Sequence, residues 1–227
     1  MKIEAHPLGT LVQSNDFQIL FGKRESQITE LEKNFPSIKF KRIRQTHSDK
    51  IIHSSPHSID FSTEADAHYT NEKDLGLCIS TADCIPVMLF HTHPAWAVAI
   101  HAGWRGIEKR IVPKAISQIL RNGAKVEDLH IFVGPHIQKI SFEVKYDVRD
   151  LLLKSVQKST PEMSQEISPE KSLVDLNLIL KHQLQESGLL LENMFFEFKD
   201  TVADTQYHSF RRDKESSGRQ LSFIVLR

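Results

Sequence analysis

Short, almost continuously apolar segments constrain the fold of this 227-residue chain more than any other feature. Residues 75–80 and 95–100 are the clearest examples, and each is bounded by polar or turn-forming residues. This pattern is typical of strands that are covered on both faces of their sheet. The segments therefore predict buried strands within a layered fold.

Other apolar patterns predict the remaining elements. Further strands are expected at residues 17–21, 38–41, 129–133, 194–198 and 221–226. Helical spacing predicts helices at residues 25–35, 146–156 and 176–187, and another that ends at Asn122 and Gly123. Pro113 either lies in the first turn of that last helix or kinks a helix that begins at Gly106.

Two polar segments separate these elements. Residues 53–64 are predicted to form a surface loop, and residues 159–170 a mobile one. The strands and helices alternate without a regular βαβ order. The sequence therefore predicts an α+β fold, a layered α/β sandwich with mixed β-sheets, with residues 1–227 forming one domain.

Composition limits the partners that the chain can have. With 29 basic and 29 acidic residues there is no net field to attract nucleic acid or an anionic membrane, so affinity for phosphate must be local. No apolar run approaches the roughly 18 residues of a membrane-spanning helix, and residues 1–7 lack the apolar core of a signal peptide. We expect a cytoplasmic protein with a small-molecule substrate and two reduced cysteines, Cys78 and Cys84. The sequence does not indicate the oligomeric state.

Three residues offer metal-ligating groups close to the ends of predicted strands: His47, Cys84 and His101. Neutral imidazole and thiolate are ligands that zinc prefers, and three protein ligands leave a fourth position for water or substrate. On residue type alone, a histidine is more often a satisfied polar residue than a ligand, and a lone cysteine is usually a packing residue.

The motifs around these residues resemble those of the YfiH family, also called the laccase-domain or polyphenol-oxidase-like family. From about Arg44 onward, the resemblance is carried by six ordered stretches: QTHSDKI, ADAHYT, TADCIPV, AIHAGWRG, GPHIQKISFEV and SFRRDKESSGRQ. The resemblance implies the layered fold and a metal site made of His47, Cys84 and His101. It also implies zinc-dependent purine nucleoside phosphorolysis, adenosine deamination or a role in peptidoglycan-precursor editing.

The first 43 residues depart from the family pattern. Family members usually carry a glycine-rich loop before the first ligand histidine, whereas this chain has only Phe21-Gly22-Lys23-Arg24. We therefore expect residues 1–43 to form a diverged N-terminal part in which one wall of the usual substrate pocket is missing or rebuilt.

Polar residues next to the metal ligands are candidates for catalysis and substrate binding. Asp83 is predicted to be catalytic, either by orienting a ligand histidine or by relaying a proton, and Asp66 is a second candidate for orienting a histidine. An Asp before a turn is equally often a backbone cap. Gln45 is predicted to bind substrate.

Three arginines are candidate phosphate ligands, because the planar guanidinium can bind two phosphate oxygens at once. They are Arg105, Arg211 and Arg212. The alternatives are a structural ion pair between Arg105 and Asp83, and a solvated turn at residues 211–212.

The leading hypothesis is a zinc enzyme that cleaves adenosine, inosine or methylthioadenosine with phosphate and also deaminates adenosine. One alternative is a cysteine-dependent amide or peptide hydrolase in which Cys84 is the nucleophile and His101 its base. A second is a non-catalytic zinc protein whose fourth ligand is His136 or His53. Polyphenol oxidation is disfavoured, since His91-Thr92-His93 is a lone H-x-H pair that is expected to form an exposed turn, and copper is expected less than zinc.

Overall fold

A computed structural model describes residues 1–227, with strands and helices numbered here in chain order. The first of two six-stranded sheets joins the N-terminal strands to the last strand of the chain. Its members, in spatial order, are β1 (Lys2–His6), β2 (Gly9–Gln13), β3 (Phe17–Gly22), β15 (Gln220–Leu226), β7 (Leu75–Thr81) and β4 (Lys39–Arg42). Only β4 and β7 pair in parallel; the other neighbours are antiparallel.

The second six-stranded sheet contains the central part of the chain. In spatial order its strands are β14 (Met194–Phe196), β10 (Leu129–Val133), β8 (Ile85–His91), β9 (Trp96–Ala102), β6 (Ala67–Thr70) and β5 (Ile51–His53). A small third sheet has the order β11 (Glu143–Lys145), β13 (Lys171–Val174), β12 (Ser164–Ser168).

Alternation along the strands decides which layer each side chain enters. In β8, Met88 packs in the core between the two large sheets, whereas Val87 and Leu89 pack on the opposite face of the same sheet. In β3, Ile19 faces the core between the sheets and Leu20 faces outward. The large sheets are therefore covered on both faces, as the apolar runs predicted.

Helices form the outer layers. On the first sheet lies α1 (Ile28–Asn34), whose buried residue is Leu31. The outer face of the second sheet is covered mainly by α2 (Trp104–Glu108), α3 (Ile111–Arg121) and α5 (Leu176–Glu186). The remaining helices are α4 (Tyr146–Leu153) and α6 (Phe210–Asp213), which have eight and four residues. The arrangement is a helix, sheet, sheet, helix stack, which confirms the predicted α+β layered sandwich with mixed sheets.

Most of the predicted elements are present. Of the two alternatives for Pro113, the structure shows the first, in which Pro113 lies in the first turn of a helix. Arg110, with φ of 59°, separates α2 from α3, so Pro113 lies in the first turn of a helix that starts after Gly106. A proline is tolerated there because the first backbone N–H groups of a helix have no intrahelical partner.

Three expectations about local structure were wrong or incomplete. The polar residues 159–170 contain β12, which pairs with β13. The sequence patterns also missed the β1–β2 hairpin, β8 and the shorter strands β5, β6, β11 and β13. Within the H-x-H pair, His93 is exposed, but His91 ends β8 and is fully buried.

The longest helices have 11 residues, and no helix combines the length and apolar character needed to cross a bilayer.

A buried histidine in β6 makes stability depend on pH. His68 is fully buried, only its Nδ1 is hydrogen-bonded to a side chain (Ser54 Oγ, 3.1 Å), and burial lowers its pKa to about 3. Since the unfolded chain takes up this proton near pH 6.5 and the folded chain does not, stability is full above pH 6.5 and falls as pH decreases towards 3.

We expect His68→Gln to flatten the acid-side slope of the unfolding free energy by up to about 1.4 kcal/mol per pH unit. Urea titrations between pH 7.5 and 5, with chelator present throughout, measure this slope. The exposed His57, changed to Gln, is the control. Equal slopes in the two variants would contradict the assignment of His68 as a neutral buried ring.

Candidate metal centre and its pocket

The predicted ligands lie where the chain crosses from the first large sheet to the second. His47 is in the connection from β4 to β5, and Cys84 is in the turn from β7 to β8. His101 is the penultimate residue of β9. The antiparallel register pairs Ile85 with Ala102 and Pro86 with His101, which brings Cys84 beside the end of β9.

The three side chains converge. One ligand atom from each of His47, Cys84 and His101 lies within 4.8 Å of the others. The Cys84 Sγ is 3.8 Å from His47 Nε2, and the two imidazole rings are 4.9 Å apart in an edge-to-face arrangement. His101 is buried, Cys84 is half-buried and His47 is exposed, so the cluster opens towards solvent on one side.

Asp66, the residue before β6, holds two of the ligands in place. Its fully buried carboxylate accepts hydrogen bonds from the backbone N–H groups of Thr46, His47 and Ser48. The same carboxylate lies 2.7 Å from Nδ1 of His101. Ligand histidines commonly use their second nitrogen in this way, which fixes the tautomer and leaves Nε2 for the ion. Asp66, rather than Asp83, therefore orients the ligand histidine.

Electrostatics in the cluster favour the thiolate of Cys84 and the carboxylate of Asp66. Burial alone would raise the pKa of the Cys84 thiol, but the charge of His101 and hydrogen bonds from His101 and His47 lower it overall. Burial would lower the pKa of His101, but Cys84 and Asp66 raise it. Burial would likewise raise the pKa of Asp66, whereas its hydrogen bonds to His101 and Ser48 lower it to about 2. A thiolate beside imidazoles is the form in which cysteine binds a metal ion.

The backbone at Gly103 passes so close to this cluster that no side chain would fit there. A side-chain carbon added at Gly103 would lie 2.9 Å from the His47 ring and 3.1 Å from the Cys84 sulfur. Glycine therefore lets the β9–α2 turn approach both ligands. A soft and nitrogen-rich ligand set, an oriented histidine and an open fourth side all fit a divalent transition metal such as zinc.

A cavity of about 590 Å³ lies over the cluster. Its apolar walls come from helices α2, α5 and α6 and from the connection between β10 and β11. They are formed mainly by Trp104, Ile137, Phe142, Leu176 and Phe210. This size is in the range of pockets that bind small molecules.

Asp83 and Gln45 line the cavity, but their polar groups are hydrogen-bonded to other segments of the chain. The Asp83 carboxylate accepts from Thr201 Oγ1 at 2.7 Å and from the backbone N–H of Arg211 at 2.6 Å. The Gln45 amide donates to the carbonyl of Ser80 and accepts from the N–H of Ser80. A catalytic role for Asp83 and a substrate-binding role for Gln45 stay predictions.

The three candidate arginines have different surroundings. Arg105 is exposed, lines the cavity and lies over the ring of Trp104 at 4.4 Å, rather than pairing with Asp83. Arg211 also lines the cavity, with one guanidinium N–H donated to the carbonyl of Glu143.

Arg212 is not brought to the cavity. Its guanidinium donates to the carbonyls of Thr201, Val202 and Tyr207 and pairs with Asp213. The structure therefore gives Arg212 a structural position, and its predicted role in binding substrate has no support from this geometry.

Two cations of the cavity were missed by the sequence analysis. Lys214 and Arg219 both line it and belong to the same SFRRDKESSGRQ motif as the predicted arginines. The only available signal was the density of basic residues in that motif.

The other histidines predicted as possible ligands lie outside the cavity lining and make different contacts. His136 is fully buried and its Nδ1 bonds the carbonyl of Gly134, whereas His53 is exposed and packs on the ring of Tyr69. Both ring nitrogens of His91 are hydrogen-bonded, to the Pro94 carbonyl and the Lys125 N–H. His91 is therefore not available as a copper ligand in this structure.

Replacing the orienting carboxylate tests the metal centre. We expect Asp66→Asn to weaken zinc binding by about 10- to 100-fold, because the tautomer of His101 is no longer fixed. Asp83→Asn, which removes a carboxylate of the same cavity that does not touch a ligand histidine, should leave zinc affinity within a factor of about three of the parent. Competition with a chromophoric chelator measures both affinities, and equal losses in the two variants would contradict the assignment.

Comparison with known proteins agrees with this architecture. The family model described as "Multi-copper polyphenol oxidoreductase laccase" matches residues 23–227, and thus begins before the motifs that start near Arg44. The chain is 27% identical over 186 residues to a purine nucleoside phosphorylase of Aquifex aeolicus (strain VF5), covering 80% of this chain and 81% of the relative. It is 31% identical over 166 residues to the purine nucleoside phosphorylase YfiH of Escherichia coli (strain K12), covering 73% of this chain and 65% of that relative.

Solved structures show the same fold. YlmD from Geobacillus stearothermophilus superposes with a TM-score of 0.87 at 20% identity, covering 99% of this chain and 98% of that one. A Bacillus licheniformis protein titled hypothetical protein YfiH gives 0.86 at 20% identity, with 93% of each chain covered. The sequence match and the shared fold lead to one conclusion: this chain belongs to the YfiH family, which the laccase-type family model describes.

Proposed function

We propose that this chain is a zinc-dependent purine nucleoside phosphorylase that acts on adenosine, inosine and methylthioadenosine and also deaminates adenosine. The observation that carries the proposal is the cluster of His47, Cys84 and His101, which has an open side at the base of a small-molecule cavity. The names of the relatives in Aquifex aeolicus and Escherichia coli support the same reaction class.

The cavity has the chemical groups that phosphorolysis requires. A purine nucleoside presents a flat apolar base, for which the aromatic side chains of Trp104, Phe142 and Phe210 provide apolar surface. Phosphate needs cationic donors, and Arg105 and Arg211 line the same cavity. Stabilising charge that develops during the reaction is the main task of such preorganised donors.

The metal ligands would be His47, Cys84 and His101, and the ion when bound supplies Lewis acidity at the base of the cavity. The protein's own contribution is orientation. Asp66 holds the proton on Nδ1 of His101 and fixes the backbone of residues 46–48, so that both histidine rings face the cavity. Zinc is proposed over copper because thiolate and imidazole ligands suit zinc. In addition, the availability of a metal in the cell, rather than its intrinsic affinity, decides which metal occupies such a site.

One further arrangement supports the alternative of a cysteine-dependent amide or peptide hydrolase. Asp66, His101 and Cys84 form a series of carboxylate, imidazole and thiol, in which the base is oriented by a third group. Cys84 would be the nucleophile and His101 its base. Both proposals use the same residues but differ in their need for a metal ion.

We also propose a cytoplasmic location and one domain over residues 1–227. Free Cys78 and Cys84 support a reducing compartment. The first sheet combines strands from residues 2–42 with the C-terminal β15, which supports a single folding unit.

Product analysis tests the phosphorylase proposal. Purified protein loaded with zinc is incubated with adenosine, with and without inorganic phosphate, and products are separated by chromatography. We expect adenine and hypoxanthine only with phosphate, the hypoxanthine coming from inosine formed by deamination, and inosine as the sole product without phosphate. No product in either condition would contradict the proposal and favour the hydrolase.

Metal removal separates the two enzyme classes. We expect chelation to abolish activity and zinc to restore it, because the ion supplies the Lewis acidity. A thiol hydrolase would keep its activity after chelation and lose it only when Cys84 is alkylated. The buried Cys78, changed to Ala, serves as the control that any thiol effect comes from Cys84.

A further inference from the structure

The segment between α6 and β15, residues 214–219, forms part of the cavity wall and is called here the C-terminal loop. It contributes Lys214 and Arg219 to a lining that also includes Arg105 and Arg211. The only carboxylate in the lining is that of Asp83, and both of its oxygens already accept hydrogen bonds from within the protein. The chain as a whole carries no net charge, so the excess of positive charge in this cavity is a local feature.

Two of the cations are free to meet a ligand. Lys214 and Arg105 are exposed, and neither forms a salt bridge with a protein carboxylate. Arg219 donates only one of its guanidinium nitrogens, to the carbonyls of Ser217 and Gly218 within its own loop. Its other donors are therefore available.

The backbone at Lys214 is unusual for a lysine. Its φ of 52° and ψ of −134° lie in a region that favours glycine, because a side-chain carbon is crowded there. Strained residues of this kind persist where the surroundings hold them, and they are concentrated at functional sites.

Contacts on both sides hold the C-terminal loop in this conformation. Asp213 is paired with Arg24 at 3.1 Å and with Arg212 at 2.8 Å. The amide of Gln27 donates to the carbonyl of Arg219 at 2.8 Å. Arg212 is thus a positioning residue that fixes the loop from which Lys214 and Arg219 reach the cavity.

We propose that Lys214 and Arg219, together with Arg105, form a subsite for a phosphate dianion in this cavity. The identification of the anion as phosphate rests on the proposed function. Arginine can bind two phosphate oxygens with its planar fork, and lysine adds a compact point charge. The dianion is either inorganic phosphate or the phosphoryl group of a nucleoside monophosphate, since both present the same chemistry.

Equilibrium binding tests the subsite without depending on turnover. Isothermal titration of the zinc-loaded full chain is carried out with inorganic phosphate, adenosine 5′-monophosphate and adenine. We expect Lys214→Gln and Arg219→Gln each to weaken binding of at least one phosphate-bearing probe by tenfold or more, with adenine affinity within twofold. Lys158→Gln removes the same charge from an exposed position outside the cavity and should change nothing.

A glycine variant separates binding from folding. We expect Lys214→Gly to unfold at the same or a higher temperature than the parent, because glycine accepts the backbone conformation of this position. Its phosphate affinity should nevertheless fall as much as that of Lys214→Gln. A lysine with a purely structural role would not give this combination.

The outcomes are distinguishable from failure of the proposed function. Sensitivity of inorganic phosphate binding to both substitutions supports the subsite and assigns it to free phosphate, whereas sensitivity of the monophosphate alone assigns it to a nucleotide. Identical affinities in Lys214→Gln, Arg219→Gln and Lys158→Gln, or no binding of either probe, overturn the subsite. If phosphate binds as expected but adenosine yields no adenine, the phosphorylase proposal fails and the subsite stands.

Discussion

The buried carboxylate of Asp66 is the interaction on which the candidate site depends. It accepts hydrogen bonds from the three successive backbone N–H groups of residues 46–48 and is hydrogen-bonded to Nδ1 of His101. These groups come from segments that are far apart in sequence, and without them the fully buried carboxylate would be unpaired. One side chain thus satisfies the turn that carries His47 and orients His101, so the geometry of the two histidines is set before any ligand arrives.

The position of the site follows from the connection between the two large sheets. The chain passes from the first sheet to the second near His47 and again at Cys84, and both crossings occur at the same end of the stack. The cationic C-terminal loop forms part of the cavity wall at this end, so the metal-ligating cluster at the base meets a positively charged wall.

The layered fold could be predicted from apolar patterning, but several elements could not. The strand β12 has a polar and largely exposed sequence, so its pairing with β13 leaves no apolar signal. The convergence of Cys84 and His101 depends on the β8–β9 register, and the residues indicated it only through their resemblance to a family. Adjacent Arg211 and Arg212 look equivalent in the sequence, yet the short helix α6 turns only Arg211 to the cavity. Lys214 was missed because its position follows from a backbone conformation that residue type argues against.

Residues 1–43 contribute no side chain to the cavity lining, yet two of them contact the segment behind its wall. Arg24 reaches the carbonyl of Thr205 as well as Asp213, and Lys23 reaches Gln206. Lys23 and Arg24 therefore support the C-terminal residues 205–213. Substitutions at Lys23 or Arg24 can therefore alter how firmly the cavity wall is held without changing any residue that faces the cavity, so selectivity can depend on side chains that never contact the molecule being selected.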